Sequence, residues 1–455
     1  MKLSTLSAFL LALAVGSAAA QSPYILRPTA TGSVSAIASR HNLTVVEPLD
    51  SADSVYLVTG PSNESTAQVE SDVSSDTEVT DIEPDQSTAL PELSQSTGVI
   101  LDQLPSATAS NYAGTAVLGS YLTQPATQII NLWSAQSSFQ VTGAGTVAVI
   151  DTGIDPTSTV LAPSLVPGYD FIHNTAGTAS DWSELGPSAL TALQGSSTNP
   201  ANKTDLALLN QSTGVILDQS TGVILDQSTG VILDGQIPAE FGHGTMVAGV
   251  IHLVAPTAKL MPLKAFRADG SAQLSDILRA VYYAADHGAQ IINMSFSLQQ
   301  PSDELQDAIQ YAHNAGSICV AAAGNSGISQ LPNPASLDKV MGIASTSLKD
   351  SVSQFTNYGD GSFIGAPGEN IITTYPGNNY AEVSGTSFST PFVAGATALL
   401  YQLLSEAGWD DMKSNLSHAA PISSIIGNGR LDVYQALQAA ATASDSDDSS
   451  STGDN

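Results

Sequence analysis

The sequence contains 455 residues with 42 Asp and Glu against 12 Lys and Arg, which gives a net charge of −30. A chain of this length exceeds the usual single domain, and so acidic a surface argues against nucleic acid or an anionic membrane as a partner. The single cysteine, Cys319, excludes an intramolecular disulfide and is predicted to be a buried structural thiol rather than a nucleophile.

Residues 1–20 are predicted to be a secretory signal peptide. One lysine precedes an apolar run, and the small residues Ala18 and Ala20 come just before Gln21. The run is too short for a membrane span, and no later run reaches the ~20 apolar residues that a span requires. We therefore expect a secreted, extracellular protein with no membrane partner.

Residues 21–85 are predicted to form a small α+β unit. YILRP, SVYLVTG and TEVTDIEPDQ have the character of strands, and TGSVSAIASRH and STAQVESDVSS have helical spacing. This order is typical of the split βαβ, or ferredoxin-like, arrangement. Residues 86–117 are rich in Ser, Thr, Pro and Gly, which predicts a linker, and they contain one copy of the octapeptide QSTGVILD at 95–102.

From residue 118 to 442 strands and helices alternate, which predicts an α/β domain with a mostly parallel central sheet. Apolar strands are expected in GTVAVID, AQIINMSFS and SICVAAAGN. Helices with start and stop signals are expected in SDILRAVYYAADHG, PSDELQDAIQYAHNAG and SFSTPFVAGATALLYQLLSEAG. Residues 176–238 interrupt this alternation as an insertion, and residues 443–455 are acidic and predicted to be a disordered tail.

Three further copies of QSTGVILD stand in tandem at 211–234, inside the predicted insertion. Eight residues turn an ideal helix by about 800°, so successive copies would face different directions, whereas in a strand an even repeat returns each side chain to the same face. The repeat therefore favours short GVIL strands separated by polar DQST turns, with a duplicated surface loop as the alternative. We also hypothesise that the copy at 95–102 pairs edge to edge with the tandem copies.

Three residues suited to amide hydrolysis stand at the ends of predicted elements. Such a reaction needs a nucleophile, a base within hydrogen-bond reach, and an acid that orients the base. Asp151 follows the strand VAVI, His243 stands at a helix start in FGHGTMVAG, and Ser387 stands at another in SGTSFSTPFVAG. Their order along the chain is Asp, His, Ser.

With these flanks the chain resembles the subtilisin-like serine peptidases, or subtilases. AVIDTGID, GHGTMVAG and GTSFSTPFVAG are similar to the family's aspartate, histidine and serine motifs, and LKAFRADGSAQLSDI, IINMSFS, AAAGNSG, SQFTNYG and APGENI align between them in order. The resemblance implies a three-layer subtilisin-like α/β fold over 118–442 and endopeptidase activity on a protein or peptide substrate. Ser387 would be the nucleophile, His243 the general base, and Asp151 the residue that orients the histidine.

The same resemblance implies further site residues. Asn325 in AAAGNSG matches the residue whose side-chain amide completes the oxyanion hole. The residues expected to bind an extended peptide or to wall the primary specificity pocket are Ser271, Ser295, Phe296, Ser297, Ala322, Ala323 and Gly324.

The chain also departs from the family pattern in three places. FSTP follows the serine where the family commonly has Met and Ala, NMSFSL lacks the usual glycines, and VAGVIHLVAPTAKL leaves no room for a calcium loop. We identify no metal-ligand set, so no metal or other cofactor is predicted, although calcium is not excluded.

Residues 21–85 resemble the family's inhibitor-like propeptide. This implies a zymogen whose propeptide blocks the cleft with its C-terminal stretch near EPDQ and is then cut away by the enzyme, leaving a monomer. Two alternatives remain. One is a sedolisin-type peptidase, in which a glutamate replaces the histidine and the reaction runs in acid; GHGT argues against it. The other is a catalytically inactive, repeat-bearing binding protein on the same fold; the intact triad motifs argue against that.

Overall fold

The structure of the chain is a computed structural model that describes residues 21–52, 54–90, 99–100, 109–185, 238, 240–298 and 300–450. It divides into two compact units, Met1–Asp85 and Gln86–Asn455. None of the helices in the described part of the chain is long and apolar enough to cross a membrane. The predicted signal peptide and the three tandem octapeptide copies lie outside the described residues.

The first unit is an antiparallel sheet with two helices. Its elements are β1 (Pro23–Pro28), α1 (Val34–Arg40), β2 (Thr44–Pro48), β3 (Tyr56–Thr59), α2 (Thr66–Val73) and β4 (Val79–Pro84). The strand order is β2-β3-β1-β4, and one helix follows β1 and the other β3, which is the split βαβ arrangement. Its core is formed by residues such as Tyr24, Leu26, Ile37, Val58 and Ile82.

No sequence pattern predicted β2. Its two valines, Val45 and Val46, are both exposed, so the segment lacks the alternation of apolar and polar residues that marks a half-buried strand. The two helices, in contrast, begin with side-chain capping signals. Ser33 Oγ accepts a hydrogen bond from the backbone N–H of Ala36, and the Gln68 side chain accepts one from the backbone N–H of Ser65.

The second unit begins with short elements. They are β5 (Ser87–Ala89), β6 (Val99–Ile100), β7 (Ala109–Tyr112), β8 (Thr115–Leu118), α3 (Gly119–Thr123), α4 (Pro125–Ile129) and α5 (Leu132–Phe139). Strands thus form within the range 86–117 that was predicted to be a linker, and one of them, β6, lies in the GVIL of the first octapeptide copy. The β7–β8 hairpin turns through Ala113 and Gly114, both at positive φ, a two-residue turn that lacks the usual Asn-Gly signal.

An eight-stranded sheet forms the centre of the described second unit. The strands that follow α5 are β9 (Thr146–Asp151), β10 (Gly168–Asp170), β11 (Thr175–Gly177), β12 (Lys259–Lys264), β13 (Ser271–Gln273), β14 (Ile291–Met294), β15 (Ile318–Ala322), β16 (Val340–Thr346), β17 (Ser362–Pro367), β18 (Ile371–Tyr375) and β19 (Asn379–Val383). The sheet order is β11-β10-β12-β9-β14-β15-β16-β17, and every neighbouring pair is parallel except β10 with β11. The buried runs VAVI and CVAA suit a sheet covered on both faces.

Helices cover this sheet. They are α6 (His243–Val254), α7 (Leu274–Asp286), α8 (Asp303–Asn314), α9 (Thr386–Leu403), α10 (Trp409–Leu416) and α11 (Val433–Ser450). Helix α6 is buried along its whole length and packs closely on α9, since a Cβ at Gly395 would lie 2.6 Å from Val254 Cβ. Helices α7 and α8 each bury one apolar face. The result is the three-layer α/β architecture expected from the sequence.

Two predicted boundaries differ in the structure. Strand β11 pairs with β10, so the central sheet continues into the range 176–238 that was predicted to be an insertion. Helix α11 runs to Ser450, although residues 443–455 were predicted to be disordered. The alanine-rich start of this helix favours its propagation into the acidic residues that follow.

The first octapeptide copy takes part in a small sheet of the second unit. Its residues Val99 and Ile100 form β6 and lie opposite Glu382 and Ala381 of β19. The proposed pairing of this copy with the tandem copies falls outside the described residues and stays a hypothesis.

Candidate active site

Asp151 and His243 meet at the carboxyl end of β9. Asp151 is the last residue of β9 and His243 the first of α6, and both side chains are buried. His243 Nδ1 lies 2.8 Å from Oδ1 and 3.0 Å from Oδ2 of Asp151. Gly244 permits this close approach of helix to strand, since a Cβ there would lie 2.1 Å from the carbonyl oxygen of Gly153.

Two opposing effects act on the pKa of His243. Burial disfavours the imidazolium, but the charge of Asp151 and its hydrogen bond outweigh burial, and the pKa of His243 is raised above its ordinary value of 6.5. A neutral ring whose Nδ1–H donates to Asp151 has Nε2 as its proton acceptor. The pair therefore has the tautomer that a general base requires.

Ser387 lies in the first turn of α9, where backbone N–H groups have no partner within the helix. Its Oγ donates to the carbonyl oxygen of Ser295 at 3.1 Å, and Ser295 Oγ donates to the carbonyl oxygen of Ser387 at 2.9 Å. The ring centroid of Phe388 lies 5.5 Å from that of His243. Among the described residues no hydrogen bond joins Ser387 to His243, so the structure brings the two helix starts together without closing that bond.

Asn325 follows β15 and is anchored by its carbonyl oxygen. Oδ1 accepts from the backbone N–H of Thr386 at 2.9 Å and from Thr386 Oγ1 at 2.8 Å. Because these bonds use the oxygen, the Nδ2 group is oriented away from Thr386 and keeps its donors for another partner. Nδ2 would lie 3.5 Å from a Cβ at Gly385, a position with φ of +148°. The amide donor therefore lies beside the turn that precedes Ser387.

A short strand of the chain itself lies between β13 and the loop after β14. Strand β5 runs antiparallel to β13. The backbone N–H of Leu90 donates to the carbonyl oxygen of Gly270 at 2.8 Å, and Thr88 Oγ1 donates to the carbonyl oxygen of Ser297 at 3.2 Å. Residues 86–90 thus lie in an extended conformation beside two of the segments that were predicted to bind peptide.

The family model that describes the subtilase family matches residues 143–451. The chain belongs to this family. This subtilase is 35% identical over 254 residues to the thermophilic serine proteinase of Bacillus sp. (strain AK1), which covers 56% of this chain and 51% of that protein. It is 40% identical over 170 residues to subtilisin BL of Lederbergia lenta, and this match covers 35% of this chain and 63% of that protein. It is 35% identical over 211 residues to thermitase of Thermoactinomyces vulgaris, and this match covers 43% of this chain and 75% of that protein.

The subtilase chain therefore spans less than two thirds of the length of the first two of these relatives. Among solved structures, fervidolysin from Fervidobacterium pennivorans matches with a TM-score of 0.65 at 20% identity, over 92% of this chain and 61% of that chain. A protease from Pseudoalteromonas arctica PAMC 21717 matches with a TM-score of 0.54 at 26% identity, over 68% of this chain and 94% of that chain. The predicted subtilisin-like α/β fold is confirmed.

The subtilase fold places the predicted pocket residues next to its sheet. Ala322 ends β15, and Ala323 and Gly324 follow it, all three buried. Phe296 is also buried, and its ring packs on that of Phe266 with centroids 5.0 Å apart. In this structure the Phe296 side chain therefore packs in the interior, whereas Ser297 is half-buried.

One buried carboxylate beside Asp151 and His243 is absent from the predicted site residues. Asp181 lies in the 3₁₀ turn Asp181–Glu184 and accepts hydrogen bonds from Thr152 and Thr245. No motif marks it, because it falls in a segment without periodicity that was assigned to the insertion. A weak signal exists in SDWSE, where Ser180 caps a turn rich in acidic residues.

Proposed function

We propose that this subtilase is a serine endopeptidase that is exported as a zymogen and hydrolyses peptide bonds in proteins or peptides. The observation that carries the proposal is the buried Asp151–His243 pair, with Nε2 as the base, next to a serine in the first turn of α9. The Bacillus relative, a serine proteinase by name, supports the same reaction class.

In the proposed reaction Ser387 is the nucleophile. Its hydroxyl leaves the carbonyl of Ser295 and turns to His243 Nε2, which takes the proton as Oγ bonds to the scissile carbonyl carbon. Asp151 keeps the imidazole oriented and stabilises the imidazolium. The imidazolium then returns the proton to the leaving amine, which departs and leaves an acyl-enzyme. Water attacks this ester by the same route and releases the acid, which restores the serine.

The tetrahedral intermediate carries a negative oxygen that needs fixed donors. The Nδ2 group of Asn325 and the backbone N–H of Ser387 are suited to this, since the bonds described above use the Asn325 oxygen and the N–H of Thr386 instead. The groups are positioned before the substrate arrives, so their alignment costs nothing during the reaction. Every step uses side chains and backbone groups of this chain, and the proposal includes no cofactor.

The zymogen part of the proposal is supported by residues 86–90. An extended segment that pairs antiparallel with β13 makes the main-chain bonds that a bound peptide would make there. These residues come directly after Asp85, where the sequence placed the blocking stretch of the propeptide. We propose that the first unit and this strand inhibit the enzyme until the chain is cut, and that the product is a secreted monomer.

Replacement of Ser387 by alanine tests the proposal. We expect Ser387→Ala to abolish release of the first unit on a gel and to lower peptide hydrolysis by roughly 10⁶-fold. In the wild type, the rate should rise with pH through the pKa of His243, because only the neutral imidazole accepts the serine proton and Asp151 raises that pKa above its ordinary value.

Ser389→Ala is the matched control for this replacement. Ser389 lies one residue beyond Phe388 in the same helix, and its buried hydroxyl has no hydrogen-bond partner among the described residues, so the variant should process and hydrolyse like the wild type. Self-processing by Ser387→Ala would exclude Ser387 as the nucleophile. Activity that peaks below about pH 4, where a neutral histidine is scarce, would favour a sedolisin-type reaction instead.

A further inference from the structure

Asp181 bonds two threonines that stand next to the catalytic pair in the chain. Its Oδ1 accepts from Thr152 Oγ1 at 2.7 Å, and its Oδ2 accepts from Thr245 Oγ1. Thr152 follows Asp151 directly, and Thr245 comes two residues after His243. Asp181 is only 1% exposed, so solvent cannot replace these bonds.

The carboxylate determines the direction of every bond in this cluster. An ionised carboxyl group only accepts hydrogen bonds, so both threonine hydroxyl protons must point to Asp181. Each threonine oxygen is then free to accept from the other element. Thr152 Oγ1 accepts from the backbone N–H of Gly244 at 3.0 Å, and Thr245 Oγ1 accepts from the backbone N–H of Asp155 at 2.8 Å. By orienting both hydroxyls, the Asp181 carboxylate supports two hydrogen bonds in opposite directions between the segment after β9 and the start of α6.

The cluster reaches the catalytic carboxylate itself. The backbone N–H of Thr152 donates to Asp151 Oδ1 at 2.7 Å, the same oxygen that lies 2.8 Å from His243 Nδ1. A shift of Thr152 is therefore passed on to the oxygen that orients the histidine. Because reacting groups must be held within a fraction of an ångström, such a shift is expressed in the rate more than in binding.

Three charged groups interact with Asp181 from the elements around it: Asp151 from β9, His243 from α6 and Lys264 from β12. Lys264 is buried, pairs with Glu184 at 3.0 Å and donates to the carbonyl oxygen of Thr152 at 2.6 Å. Burial raises the pKa of Asp181 to about 6, against the lowering effect of the two threonines and Lys264. Asp181 therefore loses its charge in mildly acidic solution.

We propose that Asp181 is a positioning residue for the reaction: by orienting the hydroxyls of Thr152 and Thr245, its carboxylate holds Asp151 and His243 in their reactive geometry. This inference rests on the proposed peptidase function. A protonated Asp181 has an O–H that must itself be donated, so one threonine loses its acceptor and the two hydrogen bonds between these segments weaken. The same happens when an amide replaces the carboxylate.

Asp181→Asn tests the proposal through the pH dependence of the rate. Peptide hydrolysis is measured per active site, counted with a serine-reactive fluorophosphonate. We expect kcat to fall by about 10-fold to 100-fold above the pKa of Asp181, with KM little changed. Below that pKa the wild type also lacks the charge, so the gap between the two enzymes should close. A residue that only packs would give the same deficit at every pH.

Thr152 supplies the second test, which does not depend on the folding of Asp181→Asn. Thr152→Val removes the hydroxyl at nearly constant shape and should lower kcat, whereas Thr152→Ser keeps the hydroxyl and should retain it. In the Asp181→Asn background, Thr152→Val should add little further loss, because the two changes break one network.

Asp170→Asn is the control for a buried carboxylate. Asp170 bonds the backbone and ring of His173 and should tolerate the amide without loss of kcat. A wild-type rate for Asp181→Asn, a deficit that is constant with pH, or a Thr152→Ser variant as slow as Thr152→Val would overturn the inference. Hydrolysis by Ser387→Ala would instead overturn the proposed function, so the two failures are distinct.

Discussion

At the scale of single residues, Asn325 and Asp181 have one feature in common. The side-chain oxygens of each accept hydrogen bonds from threonine, and these bonds fix the orientation of the neighbouring donor groups. The bonds from Thr386 to Asn325 Oδ1 commit the oxygen and leave the amide N–H groups as donors. For Asp181 the two accepted bonds orient hydroxyls that are themselves acceptors. Both side chains are thus prepared before substrate binds.

Two replacements of Asn325 separate its donor role from its anchoring role. Asn325→Ala should lower kcat by about 10²–10³-fold, typical for loss of one oxyanion donor, with little change in KM. Asn325→Asp keeps an oxygen for Thr386 but has no N–H to offer, so it should be at least as slow. Steady-state kinetics on one peptide substrate compare the three enzymes. A near wild-type kcat for the aspartate would show that Asn325 serves only to anchor Thr386.

The sequence motifs singled out Asp151, His243 and Ser387 as candidate catalytic residues, but no motif marked Asp181. Asp151, His243 and Ser387 each stand at the end of a predicted element, with flanks that resemble one family, and the structure brings Asp151 and His243 into contact. Asp181 acquires its partners only when the end of β9 and the start of α6 meet. Such a juxtaposition has no local periodicity, so a pattern based on neighbouring residues cannot express it.

At the scale of elements, the site depends on two helices: α6, which is buried along its whole length, and α9, which is buried from Thr386 to Leu400. Helix α6 carries His243 and helix α9 carries Ser387. The two helices pack closely at Gly395, which has no side chain to separate them. Both were predictable, as were β9 and β15, because each contains a run of apolar residues. The strands β2, β10, β11 and β13 were not predicted, since each is short and interrupted by polar residues or glycine, with too few residues to show an alternation.

Gly395→Ala should destabilise the protein although alanine favours helices. The gain in helix propensity is at most about 1 kcal/mol, whereas the added methyl would lie 2.6 Å from Val254 Cβ and 3.3 Å from the carbonyl oxygen of Ile251. Overpacking of this kind costs about 1–3 kcal/mol, so we expect a net loss in the free energy of unfolding. Denaturant unfolding in the Ser387→Ala background, which prevents self-digestion, measures it.

Gly408→Ala provides the comparison for this prediction. Gly408 is the N-cap of α10 with φ of −85° and has no atom within 4 Å of a Cβ position, so its replacement should cost no more than the roughly 1 kcal/mol that separates glycine from alanine at an N-cap. If Gly395→Ala were as stable as its parent, α6 and α9 would not be in the tight contact that the glycine implies.

At the scale of the whole molecule, the chain consists of a small antiparallel unit and a large α/β unit, and residues 86–90 belong to the second. The sequence predicted a small α+β unit over 21–85 and a large α/β domain over 118–442, because the two differ in their alternation of strands and helices; the second unit of the structure also includes the range 86–117 that was predicted to be a linker. The octapeptide copies were not predictable in the same way. Identical repeats offer several equivalent registers, so the sequence does not select one partner edge. For the described copy the partner is β19.

The strand at 86–90 also makes a prediction about processing. Successive residues of an antiparallel strand direct their N–H groups alternately toward the neighbouring strand and away from it. Leu90 donates to Gly270 and Gln86 accepts from Leu274, at the two ends of β13, so the N–H of Thr88 also points toward β13. Thr88→Pro removes that N–H and should slow release of the first unit, whereas Ser87→Pro, whose N–H faces away from β13, should slow it less. Timed gels measure release of the first unit. Because residues 86–90 block the cleft in the proposed zymogen, N-terminal sequencing of the wild-type product should find an end within 91–108. Equal processing of both proline variants would show that the strand does not present the cleavage site.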